Sequence, residues 1–140
     1  MQQQQESFYE SKLRFEMDSW DLHAAQKNAE DIIVLDVRSL DAYNAEHIDG
    51  AISFPHGQMI EETTQGLPKD KSYVVYCDGI GCNASTSGAL KMTRLGFQVK
   101  ELIGGLKWWR ENGYPTVQKA NSSLHAEQAQ AATAINCACD

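Results

Sequence analysis

The sequence has no apolar run of the roughly 18–20 residues that a membrane-spanning helix needs, so none is expected. It also has no basic excess. Lys and Arg together number 12 against 19 Asp and Glu, a formal net charge of −7. Nucleic acid and anionic membranes attract basic surfaces, so neither is expected as a partner. The N-terminus, MQQQQESFYESK, lacks the basic-then-apolar pattern of an export signal. The cytoplasm is therefore the expected compartment. Cysteine is sparse, with four residues at 77, 82, 137 and 139. No two are spaced C-x-x-C, so neither a thioredoxin motif nor a zinc knuckle is indicated. Cys137 and Cys139 form a C-x-C without further ligands. Nothing calls for a metal or an organic cofactor. In a reducing compartment the cysteines are expected as reactive or incidental thiols, not as a disulfide framework.

What the chain does have suits one globular domain. Its 140 residues are 42% hydrophobic and 22% charged, ordinary values for a protein with a single core. Residues 1–17 read as a helical extension whose Gln-rich first residues are expected to be disordered. Residues 18–118 form the domain, and 119–140, rich in Gln, Ala, Ser and Asn, form a flexible or weakly helical tail.

Within the domain the apolar period alternates. Ser19 can cap a helix over about 20–28. Ile32–Val37 is a continuous β-branched run, the pattern of a strand buried on both faces. Ser39 can cap a helix over 40–46, residues 51–54 read as a short strand, and a short helix follows near 58–63. Tyr73–Cys77 is the second clear strand. Helix is expected over 84–95, ended by Gly96, then strand over 97–103 and helix over 106–112. Strands alternating with helices predict an α/β fold, a parallel sheet with helices on both faces.

The sharpest chemical feature is Y-C-D-G-I-G-C-N-A-S-T at residues 76–86. Cys77 ends a buried strand, a Gly-containing loop follows, and a helix begins. Ligands of open parallel sheets bind at the C-terminal strand ends. Gly79 and Gly81 can curl the loop so that its N–H groups face inward. Those groups and the helix N-terminus favour an anion, so a thiolate or persulfide at Cys77 would be stabilised there. Asp78, Gly79, Ile80, Gly81, Cys82 and Asn83 are the candidate substrate-binding loop, with Cys77 the candidate nucleophile. Cys82 can be a resolving thiol; the reading favoured is a small residue at the loop–helix junction.

Two further segments resemble the rhodanese-like family. Residues 43–55, Y-N-A-E-H-I-D-G-A-I-S-F-P, are similar to its upstream signature. Residues 104–117, G-G-L-K-W-W-R-E-N-G-Y-P-T-V, are similar to its C-terminal signature. D-V-R at 36–38 and V-V-Y-C at 74–77 fall where the family has its first core strand and its catalytic strand. The resemblance spans about 18–117. It implies a rhodanese fold with a central parallel sheet of about five strands. It also implies a sulfurtransferase in which Cys77 takes sulfane sulfur from a small or protein-bound donor, holds it as a persulfide and passes it to a thiol or other thiophilic acceptor. Asp36 and Arg38 are expected as a structural ion pair, His47 and Gly50 as turn residues with Gly50 at positive φ, and Gly104, Gly105 and Trp108 as a packed bend, with at least one of Trp108 and Trp109 in the core.

The loop departs from the family pattern. Many members carry Arg or Lys there; D-G-I-G-C-N carries none, and Asp78 opposes a thiolate beside it. Thiosulfate, a dianion, is then expected to be a poor donor. A related phosphatase loop, C-x5-R, would need Arg where this chain has Asn83, so phosphatase activity is not expected. Two other readings stay open: a non-catalytic interaction module, and a redox sensor using Cys77 and Cys82.

Overall fold

The computed structural model describes residues 1–119. Tail residues 120–140, and with them Cys137 and Cys139, lie outside the described residues. Five parallel strands form the central sheet in the order β1-β6-β5-β2-β4. They are β1 Glu16–Met17, β2 Ile32–Asp36, β4 Ile52–Ser53, β5 Ser72–Tyr76 and β6 Gln98–Leu102. β5 lies at the centre of the sheet with β2 and β6 beside it; β5 and β2, the two clearest strands in the sequence, pair in register from Ile32 against Ser72 to Asp36 against Tyr76. β5 and the end of β2 are buried, as apolar runs covered on both faces should be, whereas β6 (Gln-Val-Lys-Glu-Leu) is largely half-exposed.

Strand alternation splits the core in two. Val74 and Tyr76 of β5 join Leu22 of α2 (Ser19–Lys27) and Leu106 and Trp109 of α6 (Gly105–Glu111) on one face. Tyr73, Val75 and Cys77 join Ala84 and Met92 of α5 (Ala84–Arg94), with Met59 and Phe97, on the other. Helices thus cover both faces, and the parity of β5 aims Cys77 at the α5 side. Asp18 caps α2 through its side chain, accepting from Asp21 N–H, and Ser39 caps α3 (Leu40–Ala45), accepting from Ala42 N–H. The cap of α2 is one residue earlier than Ser19, the residue expected from the sequence.

The structure departs from the sequence reading at the N-terminus. The first residues are helical, within α1 (Gln2–Phe15), not disordered. Gln is a fair helix former, and a Lys12–Glu16 pair at i,i+4 supports the last turn. No residue of α1 is buried. No helix among the described residues is long and apolar enough to cross a membrane.

A small antiparallel ribbon pairs β3 (Glu46–Ile48) with β7 (Thr116–Gln118). It was not expected, because three-residue strands carry no readable period. It joins the two signature segments. Glu46 accepts from Arg110 Nη2 at 2.7 Å and from Thr116 Oγ1 at 2.8 Å. Burial alone would push the Glu46 carboxyl up, but those hydrogen bonds and the Arg110 charge outweigh it and hold it below its ordinary value of 4.5. A carboxylate with its pKa depressed by folding stabilises in full above its unfolded value and loses that contribution as pH falls through the folded value. Glu46→Gln should therefore flatten the fall in Tm below about pH 4.5 relative to the unsubstituted protein; parallel curves in a pH series of thermal melts would contradict this.

Candidate active site

The C-terminal ends of β2 and β5 lie side by side, and what leaves them makes the site. Asp36 ends β2 fully buried. It accepts from Arg38 Nε at 3.0 Å, from Arg38 Nη2 at 2.6 Å and from Tyr76 Oη at 2.8 Å. Burial works against the Arg38 charge, but Asp36 outweighs it and the guanidinium is raised above its ordinary value. Burial and the neighbouring Asp36 likewise hold the Tyr76 phenol well above its ordinary range, so it stays a donor. The ion pair expected from the D-V-R segment is therefore present.

Its reach is greater than the sequence suggested. Arg38 Nη2 also donates to Glu46 O at 2.5 Å, and Arg38 Nη1 donates to Asp78 Oδ1 at 2.9 Å. The carboxylate expected to oppose a Cys77 thiolate is thus paired to a buried cation. The cation missing from the loop sequence comes instead from Arg38, two residues past the end of β2, at a separation of 40 residues. Spacing along the chain gives no signal for such a contact.

The loop is fixed at several points. Leu106 N–H donates to Cys77 O at 3.0 Å, and Lys107 N–H donates to Asp78 O at 2.8 Å. The first N–H groups of α6 therefore hold the backbone of the loop. The approach is close enough that a Cβ at Gly105 would stand 2.3 Å from Cys77 O and 2.9 Å from Gly79 N, both backbone atoms. Gly105→Ala should cost about 2–3 kcal/mol from this overlap and its left-handed φ. Gly113, also at positive φ but with open space around it, is the control. Gly113→Ala should cost only about 1 kcal/mol, and equal losses for the two in urea unfolding would contradict this account. Lys107 sits against the loop as well, its Cβ 3.4 Å from where a Gly79 Cβ would be. Sequence reading passed over it because only the folded bend brings α6 to the loop.

Within the loop, Cys82 N–H donates to Gly79 O at 3.3 Å, and Gly81 has φ +93°. That is a turn over Gly79–Cys82 with glycine where positive φ is required. Ile80 stands at its tip, 77% exposed, and Asn83 is exposed at the start of α5. The turn returns Cys82 to Cys77, and the two are joined by a disulfide with Cα atoms 6.4 Å apart. This corrects two expectations: Cys82 is not merely a small junction residue, and these two thiols are not left unpaired. A five-residue separation closed by a glycine turn brings the sulfurs within bonding reach, which the spacing alone does not reveal. In this state Cys77 is 1% exposed.

The remaining signature residues make contacts within the fold. His47 packs on the Tyr43 ring with centroids 3.7 Å apart, and its Nδ1 lies 2.8 Å from Tyr43 O. Gly50 has φ +86°. Gly104, also at positive φ, lies under the Trp108 ring. Trp108 itself is 45% exposed, whereas Trp109 is fully buried and donates from Nε1 to Pro115 O at 2.8 Å. The packed tryptophan of the bend is therefore Trp109, not Trp108. The helix phase set by the bend turns Gly105, Leu106 and Trp109 inward. Among the described residues no group of three or more His, Cys, Asp or Glu stands together as a metal site.

Comparison with known proteins agrees with this architecture. A model of the rhodanese-like domain matches residues 19–112. The chain belongs to the rhodanese-like family. It is 33% identical over 102 residues to the thiosulfate sulfurtransferase GlpE of Coxiella burnetii, covering 71% of this chain and 87% of that protein. It is 30% identical over 95 residues to the HTH-type transcriptional regulator Rv0324 of Mycobacterium tuberculosis, covering 68% of this chain but only 42% of that regulator. Among solved structures, the BH2092 protein of Bacillus halodurans is 41% identical with a TM-score of 0.80, covering 85% of this chain and 88% of that one.

Proposed function

We propose that this protein is a sulfurtransferase that carries sulfane sulfur as a persulfide on Cys77. The observation that carries the reading is the position of Cys77, at the end of β5 beneath a pinned glycine loop, in a family with a relative named as a sulfurtransferase. In the dithiol form, the Cys77 thiolate attacks the sulfane sulfur of the donor. The donor S–S bond breaks, the donor leaves with the electron pair, and Cys77 holds the sulfur as a persulfide. An acceptor nucleophile then attacks the terminal sulfur, and Cys77 leaves as thiolate.

Two features support a reactive thiolate. Arg38 neutralises Asp78, the nearest anion in sequence, and the α5 N-terminus follows the loop directly. Donor preference follows from charge. Arg38 is engaged by Asp36 and Asp78, the whole chain carries −7, and Lys107 is the cation left beside Gly79. A small or protein-bound persulfide, with less negative charge to hold than a thiosulfate dianion, is the favoured donor, and a thiol is the favoured acceptor.

The test is turnover. The reduced Cys82→Ser protein, in which Cys77 cannot be tied up as the disulfide, should form thiocyanate from cyanide with either donor, faster with a low-molecular-weight persulfide than with thiosulfate. Thiocyanate no faster than the uncatalysed reaction from both donors would overturn the reading and favour a non-catalytic interaction module.

A further inference from the structure

We propose that Cys82 is a second catalytic thiol: it resolves the Cys77 persulfide, releasing the carried sulfur as sulfide and closing the Cys77–Cys82 disulfide. This rests on the Cys77 persulfide reading and adds an activity to it, the reduction of sulfane sulfur.

The geometry points to the step. Cys82 is bonded to Sγ of Cys77, which in a persulfide is the inner sulfur; the carried sulfur stands one bond further out. Attack by the Cys82 thiolate on the inner sulfur breaks the persulfide S–S bond, and hydrosulfide leaves with the electron pair. The sulfane sulfur is reduced to sulfide and the two cysteines are oxidised to the disulfide, so atoms and electrons balance. Hydrosulfide is the conjugate base of a stronger acid than an alkyl thiol, and the less basic sulfur leaves faster in thiol–disulfide exchange.

The loop is built to hold Cys82 in place. On one side Cys77 and Asp78 are tied to α6 and Arg38. On the other, Ser85 Oγ and Thr86 Oγ1 both donate to Glu101 Oε1, at 2.8 and 2.7 Å, anchoring the first turn of α5 to β6. Between these anchors the glycine turn carries Cys82 back over the strand end. A bridge that consumes the proposed nucleophile, and leaves it 1% exposed, is a state of the reaction centre and not a staple elsewhere in the fold. Cys82 is half-buried and more open than Cys77, so an external dithiol would attack its sulfur. Cys77 then leaves as thiolate. The second thiol of the reductant frees Cys82, the reductant becoming a disulfide.

The experiment is a single turnover on reduced, desalted protein with one equivalent of benzenethiosulfonate. Its leaving group is a sulfinate, so no donor thiol can release sulfide. The unsubstituted protein should yield about one equivalent of sulfide and end about 2 Da below its reduced mass, as a disulfide. Cys82→Ser should instead keep a gain of about 32 Da and release at least about tenfold less sulfide. Dithiothreitol should then return the unsubstituted protein to its reduced mass. If the unsubstituted protein keeps the added sulfur as long as Cys82→Ser does, the resolving role is overturned while the persulfide reading stands. If neither form takes up sulfur or releases sulfide, both readings fall together.

Discussion

Cys77→Ser, made in the Cys82→Ser protein, should leave the fold intact and lower thiocyanate formation by at least about a thousandfold, to the level of the uncatalysed reaction, because the site then has no thiol left to hold sulfane sulfur. Serine matches cysteine in shape, and Cys77 sits at a strand end, buried in the core cluster that also holds Ala84 and Val37. The lost packing and the added hydroxyl should cost on the order of 1–2 kcal/mol, small enough for the domain to stay folded. The expected signature is therefore activity lost with a circular dichroism spectrum and melting transition close to those of the unsubstituted protein. Retained turnover would move the carrier role away from Cys77. A collapse of the melting transition would show that the residue holds the core.

Arg38→Met should produce the largest loss of stability, about 3–5 kcal/mol. The guanidinium is 1% exposed and bridges Asp36, Asp78 and the Glu46 carbonyl. Removing it strands the buried Asp36 charge beside Tyr76, and unpaired buried charge is among the costliest changes a core can suffer. Arg38→Lys should recover only part of the loss, because one ammonium cannot span three acceptors arranged as a fork. The same variants carry a chemical readout. With Asp78 released from its partner, its charge should raise the pKa of the reduced Cys77 thiol. Alkylation by iodoacetamide, followed against pH, should shift to higher pH in Arg38→Lys and return when Asp78→Asn is added. An unchanged alkylation profile would reduce Arg38 to a structural role. Urea unfolding checks the stability half of the argument.

The parts of this molecule legible in its sequence are those set by local pattern. The apolar runs at 32–37 and 73–77 predict the strands β2 and β5, which pair side by side inside the sheet. The Cys-glycine-helix order at 76–86 predicts a strand-end loop, and the loop is there. What the sequence hides is set by distance or by phase. Arg38 meets Asp78 across 40 residues, and Lys107 reaches Gly79 only through the Gly104-Gly105 bend. The tryptophan that packs is decided by how that bend rotates α6, which puts Trp109 inward and Trp108 out. The Cys77–Cys82 bond depends on the tight turn at Gly81, whose φ no composition reveals. The short strands β1, β3 and β7 have two or three residues each, too few for any period to show.

The central claim is that Cys77 carries the sulfur, and the most direct measurement is intact mass of the reduced Cys82→Ser variant after exposure to benzenethiosulfonate. The account predicts a gain of about 32 Da, one sulfur, mapped by peptide fragmentation to Cys77 and absent when Cys77→Ser is added. No gain, or a gain that survives without Cys77, would contradict it.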